Sequence, residues 1–325
     1  MSKIVAITIG DYNGIGIHIL LESWKKNEIK NFILFSNIDK ISTILKNKKI
    51  YKSVNLLKNI NNYDSRKFNI YSYKANSNEY NSYLSLKYAY DFCKKRLCMG
   101  VITLPLRKDL IAKKINKKFI GHTEYFQKID KKKYSNMILY HKKIIITPLT
   151  THIGINKISK KILNKKFIFN QITNLNKTLK IDFDINKPKI IISGLNPHAG
   201  ENGIIGDEEK KSIIPTIMKL KKLGIDIDGP FSADSILIRK NLKMYNCFVF
   251  IYHDQALIPF KYISQFSGVN YTGNLDIVRT SPDHGTAYNL IGKKNVNNKS
   301  FLNCYKLIQK IHRNRMNNVK SKKIS

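Results

Sequence analysis

The chain is short of almost everything that marks a specialised class of protein. Its 325 residues include only 4 cysteines, 8 prolines, 16 glycines and a single tryptophan. Of the cysteines only Cys93 and Cys98 are close, and their spacing is that of neither a zinc knuckle nor a CxxC redox pair. They form no disulfide framework and are read as reduced and structural. Few prolines and glycines exclude collagen-like and low-complexity chains. No apolar run approaches the roughly 20 residues that span a bilayer. The opening MSKIVAITIGDYNGIG lacks the basic-then-apolar order of a signal peptide. A cytoplasmic protein with no membrane partner is therefore expected. Acid is scarce as well: 22 Asp and Glu face 58 Lys and Arg, a formal net charge of +36. Nucleic acid, an anionic membrane or phosphorylated ligands would each suit such an excess. The lysines, however, are scattered along the whole chain among abundant Ile, Asn and Tyr, whose codons are rich in A and T. That scatter reads as compositional drift. No RNP-like aromatic motif or helix-turn-helix pattern accompanies it, so no nucleic-acid partner is expected.

What is present is a core. Hydrophobic residues make up 42% of the chain, and the length suits two subdomains or one large α/β unit. A β-branched run at 4–9 ends at Gly10-Asp11, and a helical pattern follows through Ile17, Leu20, Leu21 and Trp24. Further apolar runs at 32–35, 99–104, 144–146, 190–192 and 247–252 read as buried strands. Segments of helical period lie between them, notably 80–95 and 208–223. Such alternation predicts a mostly parallel sheet covered by helices. The basic, Asn-rich stretches 105–118 and 155–185 are expected as surface helices and loops. A closing helix is expected around Phe301, Leu302, Tyr305, Ile308 and Ile311, with the last dozen residues frayed. No internal repeat or linker is visible.

Histidine and glycine gather in a few short stretches, most of them just past a predicted strand. His152 follows the strand at 144–146, His198 the strand at 190–192, and His253 the strand at 247–252. In open α/β sheets ligands bind at that edge. Three convergent imidazoles make a natural site for a divalent cation such as zinc or cobalt, with magnesium as a substitute. Taken singly, each histidine reads more readily as a loop or capping residue, and the coincidence of three at strand ends reverses that. A second constellation is cationic: Lys261, Asn270 and Arg279 suit a phosphate or carboxylate, since Arg offers paired donors to planar oxygens. The glycine loop at 10–16 fits neither G-x-G-x-x-G nor a Walker A loop, and no nucleotide is assigned to it.

These stretches together are recognisable. GHTE at 121–124, THI at 151–153, GLNPHAGE at 194–201, AD at 233–234, YHDQ at 252–255, FK at 260–261, GVN at 268–270 and IVRTSPDHGTA at 277–287 resemble the 4-hydroxythreonine-4-phosphate dehydrogenase family of pyridoxal phosphate biosynthesis. The likeness runs in order from residue 3 to about 292. It implies an isocitrate/isopropylmalate dehydrogenase-like α/β fold of two subdomains with an active-site cleft between them. The larger would comprise 1–125 and 266–325, and the second 126–265. It further implies a homodimer with active sites shared across the interface. By resemblance His152, His198 and His253 hold the metal, and His122, Thr123, Lys261, Asn270 and Arg279 bind substrate. His284, Gly285, Thr286 and Ala287 would hold the adenosine side of NAD. Asp234 and Asp254 are candidate bases for the hydroxyl proton.

The implied reaction is NAD-dependent oxidation of 4-phosphonooxy-threonine at C3, then loss of CO2 to give 3-amino-2-oxopropyl phosphate. A related dehydrogenase of threonate 4-phosphate, and a basic RNA-binding protein without catalysis, are the alternatives. The sequence departs from the family pattern at Tyr12, Asn13, Ile17, His18, Gly154, Asn274, Leu275, Asp276 and Asn289, none of them an implied ligand.

Overall fold

The computed structural model describes residues 3–293 and 296–324. Twelve strands occur among the described residues: β1 (Val5–Thr8), β2 (Phe32–Phe35), β3 (Val54–Leu57), β4 (Phe68–Tyr71), β5 (Gly100–Thr103), β6 (Asn136–His141), β7 (Ile144–Thr150), β8 (Lys189–Ser193), β9 (Asp226–Phe231), β10 (Cys247–Tyr252), β11 (Val269–Gly273) and β12 (Arg279–Pro282). The chain forms two compact units, Met1–Asp130 with Leu275–Arg313, and Lys131–Asn274 with Asn314–Ser325. The boundaries expected at 125/126 and 265/266 thus lie at 130/131 and 274/275.

In the first unit the strand order is β3-β4-β2-β1-β5-β12, and every pairing is parallel. β1, β2 and β5 are buried along their whole length, which is why they read as unbroken apolar runs rather than alternating ones. Helices between them start at polar caps. Asn37 accepts from the backbone N–H of Lys40, and Ser77 from that of Tyr80. Such side chains satisfy amides that the first helical turn leaves without partners.

The second unit orders its strands β11-β6-β7-β10-β8-β9. β11, β6 and β7 pair antiparallel, while β7, β10, β8 and β9 run parallel. The helix Lys165–Ile181 does more than cover a surface. Asn164 caps it, and Phe167, Ile168, Ile172, Leu175 and Leu179 are buried along one face. Burial stabilises by about 1.5–3 kcal/mol for each such side chain. The expectation for 155–185 missed this face because lysine and asparagine fill the positions between.

A second difference lies at the end of the chain. The helix Lys299–Ile324 continues past residue 313 rather than fraying there. Its Arg315 donates from Nε and Nη2 to the two oxygens of Asp182, at 2.6 and 3.0 Å. Tyr271 donates its hydroxyl to the same carboxylate at 2.5 Å, and Asn314 donates to the Asp182 carbonyl at 2.8 Å. Polar anchoring of this kind leaves no apolar period in the sequence.

Candidate active site

Three adjacent parallel strands of the second unit, β7, β10 and β8, end at one edge of the sheet. His152, His253 and His198 leave that edge. Because Thr150 stands beside Tyr252 in the ladder, His152 and His253 emerge as neighbours, with ring centroids 6.1 Å apart. They line a cavity of about 180 Å³ together with Thr151, Ile155, Tyr252 and Asp254. The Nδ1 of His253 lies 2.6 Å from Asp254 Oδ1. With the proton on Nδ1, this bond fixes the ring and leaves Nε2 as a lone-pair donor, the usual way a carboxylate orients a metal-binding imidazole.

His198 stands apart from the pair, in the turn after β8. Among the described residues no three His, Cys, Asp or Glu side chains gather as a cation site within one chain. Two imidazoles are of the right kind for a borderline divalent metal but too few to hold it alone. The turn that carries His198 has an unusual backbone. His198, Ala199, Gly200, Glu201 and Asn202 all have positive φ, between 39° and 80°. Left-handed backbone in bulky residues is costly and persists only where surroundings impose it. Glu209, which is buried, imposes it: Oε1 accepts the N–H groups of Leu195 and Asn196 at 2.7 and 2.9 Å, and Oε2 accepts from Asn196 Nδ2 at 2.9 Å.

The remaining residues of this unit lie on separate elements. Asp234 is exposed after β9 and accepts from Ser232 Oγ at 2.6 Å. Lys261 lies in the helix His253–Ser264, its ammonium 5.1 Å from the centre of the Phe266 ring. Asn270 is in β11, and its buried Oδ1 has no hydrogen-bond partner among the described residues.

The first unit builds a cationic pocket. Arg279 opens β12 and is 1% exposed. Its Nε and Nη2 donate to Thr103 Oγ1 at 3.1 and 2.7 Å, and its Nη1 to Thr123 Oγ1 at 3.3 Å. Thr103 ends β5, which pairs with β12 in register Arg279 to Val101, so the sheet itself positions this contact. Burial pulls the guanidinium pKa down to about 10, against the opposing pull of the Cys304 thiol and the Glu124 carboxylate. His122 and Thr123 begin the helix His122–Ile129. Burial, followed by the charges of Arg279 and Lys108, holds the His122 imidazole well below the ordinary histidine value, so it is neutral at neutral pH.

His284 to Ala287 follow β12 in the same unit. The glycine loop, read from sequence only as a turn, is tied to them: the Ile15 N–H donates to the Thr286 carbonyl at 2.8 Å, and Tyr288 donates its hydroxyl to Asp11. Asp11 also accepts from Asn78 Nδ2 at 2.6 Å. Gly10, at φ 63°, lets the loop approach β5 so closely that a Cβ there would lie 2.3 Å from the Pro105 carbonyl oxygen. Beside these loops is a cavity of about 360 Å³ lined by Ile15, His18, Ile19, Lys48, Leu290 and Lys293 among others. That volume is at the lower end of the range for small-molecule sites.

Sequence reasoning missed Glu209, Asp11 and Lys108. Glu209 acts through the backbone and side-chain amides of 195–196, and Asp11 through the Asn78 amide and the Tyr288 hydroxyl, partners that only the fold brings near. Lys108 is one lysine in a chain full of them, and only its position marks it.

A buried guanidinium beside a neutral imidazole in one unit, and paired imidazoles at a sheet edge in the other, are features of an α/β enzyme. Residues 19–308 match the family described as pyridoxal phosphate biosynthetic protein PdxA, and the chain belongs to that family. It is 34% identical over 302 residues to the 4-hydroxythreonine-4-phosphate dehydrogenase of Sulfurihydrogenibium sp. (strain YO3AOP1), covering 89% of this chain and 92% of that one. To the enzyme of the same name from Wigglesworthia glossinidia brevipalpis it is 40% identical over 243 residues, 70% and 71% of the two chains. The crystal structure of the Klebsiella pneumoniae 4-hydroxythreonine-4-phosphate dehydrogenase superposes with a TM-score of 0.83 at 25% identity, over 96% of this chain and 98% of that one.

Proposed function

We propose that the protein oxidises 4-phosphonooxy-threonine at C3 with NAD and releases CO2 from the resulting β-keto acid, leaving 3-amino-2-oxopropyl phosphate. Membership of the family makes the chain an oxidoreductase of pyridoxal phosphate biosynthesis that uses a nicotinamide cofactor. The single observation that carries the finer reading is the buried Arg279, with its hydroxyl partners Thr103 and Thr123 and neutral His122 beside it. Such a group suits an anionic substrate held in fixed orientation.

NAD would supply the hydride acceptor for oxidation at C3. The residues that would hold its adenosine side are His284 to Ala287, with the adjoining cavity around Ile15, His18 and Leu290 taking the base. A divalent metal, when bound, supplies Lewis-acid polarisation of the C3 oxygen. His152 and His253 would hold it, Asp254 orienting the second ring. Asp254 is thereby committed, and Asp234 is the better base for the hydroxyl proton.

Two imidazoles leave the metal short of ligands, and a second copy of the chain would complete the set at a shared active site. Apolar side chains support the homodimer: Ile155, Ile204, Ile258 and Tyr262 stand at least 71% exposed on the unit that carries the three histidines. Among the described residues no helix is long and apolar enough to cross a membrane, and we place the enzyme in the cytoplasm. The test is NADH formation by purified protein from 4-phosphonooxy-threonine against threonate 4-phosphate. Turnover confined to, or at least ten-fold faster on, the amino compound is expected; preference for the sugar acid would overturn the substrate assignment.

A further inference from the structure

The loop at 284–287 is held from outside at several points. Just before it, the Asp283 N–H donates to Ser300 Oγ at 2.8 Å, and in its middle the Thr286 carbonyl accepts the Ile15 N–H at 2.8 Å. Ala287 then takes a left-handed conformation, φ 44°, which a residue with a Cβ adopts only where its surroundings impose it. Tyr288 follows and donates its hydroxyl to Asp11 Oδ2. Its side chain is exposed, so polar bonds at the hydroxyl, more than burial of the ring, decide where it sits. The Arg107 guanidinium, paired to Asp109, bonds to the same hydroxyl.

Asp11 is 4% exposed, and its two oxygens engage different elements. Oδ1 accepts the Asn13 N–H at 2.9 Å and Asn78 Nδ2 at 2.6 Å, while Oδ2 accepts from Tyr288. Asn78 opens the helix Asn78–Lys94, whose Ser82 donates its hydroxyl to the Gly10 carbonyl. The Asp11 N–H donates to the Pro105 carbonyl at 2.8 Å, in the loop after β5. One residue thus joins the glycine loop, a helix start and the loops after β5 and β12. Its place in the sheet is a second observation. β1 lies between β2 and β5, so the chain leaves β1 toward one side and returns to pair β5 on the other. Ligands of parallel sheets bind beyond the strand ends at such a switch point. Burying a carboxylate is unfavourable unless hydrogen bonds replace its water, so the donors around Asp11 are held firmly.

We infer that Asp11, acting through the Tyr288 hydroxyl, is a positioning residue for the nicotinamide cofactor, strapping the loop at 284–287 into its binding conformation before the cofactor arrives. The inference rests on the reading that this loop holds the adenosine side of the cofactor. A loop free to leave the left-handed turn binds only in the fraction of molecules that still have it, and the apparent Kd rises in proportion.

The decisive variant is Tyr288→Phe, which removes one hydroxyl from an exposed ring. Calorimetric titration of the full-length protein with NAD and with ADP-ribose reads binding, and hydrogen exchange of the unliganded protein reads the loop. Water replaces part of the lost bond, so Kd for both probes should rise roughly three- to ten-fold. ADP-ribose lacks the nicotinamide ring and should lose as much as NAD, because the loop serves the adenosine side. Without ligand, the amides of Ile15 and Leu290, which donate to the Thr286 and Ala287 carbonyls, should exchange faster by a like factor. In turnover, KM for NAD should rise while kcat at saturating NAD stays within about two-fold. Asp11→Ala removes the acceptor, so adding Tyr288→Phe to it should cost little more. Unchanged Kd for both probes, or exchange as slow as in the wild type, overturns the strap. Faster exchange in Tyr288→Phe, when the wild type binds neither probe, would uphold the strap and refute the cofactor reading.

Discussion

Replacing Glu209 by glutamine tests whether the turn that carries His198 is held from outside. The carboxylate accepts two backbone N–H groups on Oε1 and the Asn196 amide on Oε2, at 2.7–2.9 Å, in a buried position. Glutamine keeps the shape but has one acceptor oxygen. If that oxygen stays with the two backbone groups, its NH2 faces the NH2 of Asn196, donor against donor. One charge-assisted bond is lost and two are weakened, so the second unit should lose about 1.5–3 kcal/mol. The same free energy loosens the left-handed run from His198 to Asn202, and turnover should fall by about ten- to a hundred-fold. Urea unfolding followed by circular dichroism, alongside NADH formation, reads both effects. A stability change within about 0.5 kcal/mol, the scale of an ordinary surface substitution, with unaltered turnover would refute the reasoning.

Other perturbations separate local chemistry from general charge. Arg279→Lys keeps the charge but removes the planar fork to Thr103 and Thr123, and should cost about ten- to a hundred-fold in kcat/KM; Lys58→Ala, at an exposed lysine, should change it by less than about two-fold. Asp182→Leu strands Arg315 and Tyr271, so the second unit should lose about 3–5 kcal/mol in urea unfolding. His122 keeps a depressed pKa when folded, whereas the unfolded chain protonates it below the ordinary value of 6.5. The unfolded state then binds more protons, so stability falls as pH drops through that value, by up to about 1.4 kcal/mol per pH unit; comparison of wild type with His122→Gln at pH 7 and 5.5 isolates this part. His152→Ala should lower bound divalent metal, read by elemental analysis, without loss of secondary structure.

Much of this was legible in the residues. β1, β2, β5, β8 and β10 are buried on both faces, so their apolar runs stood out, and the histidines after β7, β8 and β10 could be placed at strand ends. Adjacency was not legible: spacing cannot say that β7 pairs with β10, and so cannot say that His152 and His253 are neighbours while His198 is not. β3, β4, β6, β9, β11 and β12 escaped because their short sequences mix polar and apolar residues. The core face of the helix Lys165–Ile181 was masked by composition, since the lysines and asparagines spread through the whole chain also fill its outer positions. Polar positioning groups were the hardest to foresee. Glu209, Asp11 and Lys108 act through partners that only the fold brings near, and nothing in their immediate sequence distinguishes them from solvated charges.

The central claim, oxidation at C3 coupled to decarboxylation, is tested most directly by a mass balance. Purified protein should be supplied with NAD, a divalent metal and 4-phosphonooxy-threonine carrying a ¹³C carboxyl group, and NADH and labelled CO2 measured together. Equal amounts of the two, both abolished by a chelator and restored by added metal, are predicted. NADH without labelled CO2, or neither product under conditions where the substrate binds, would contradict the account.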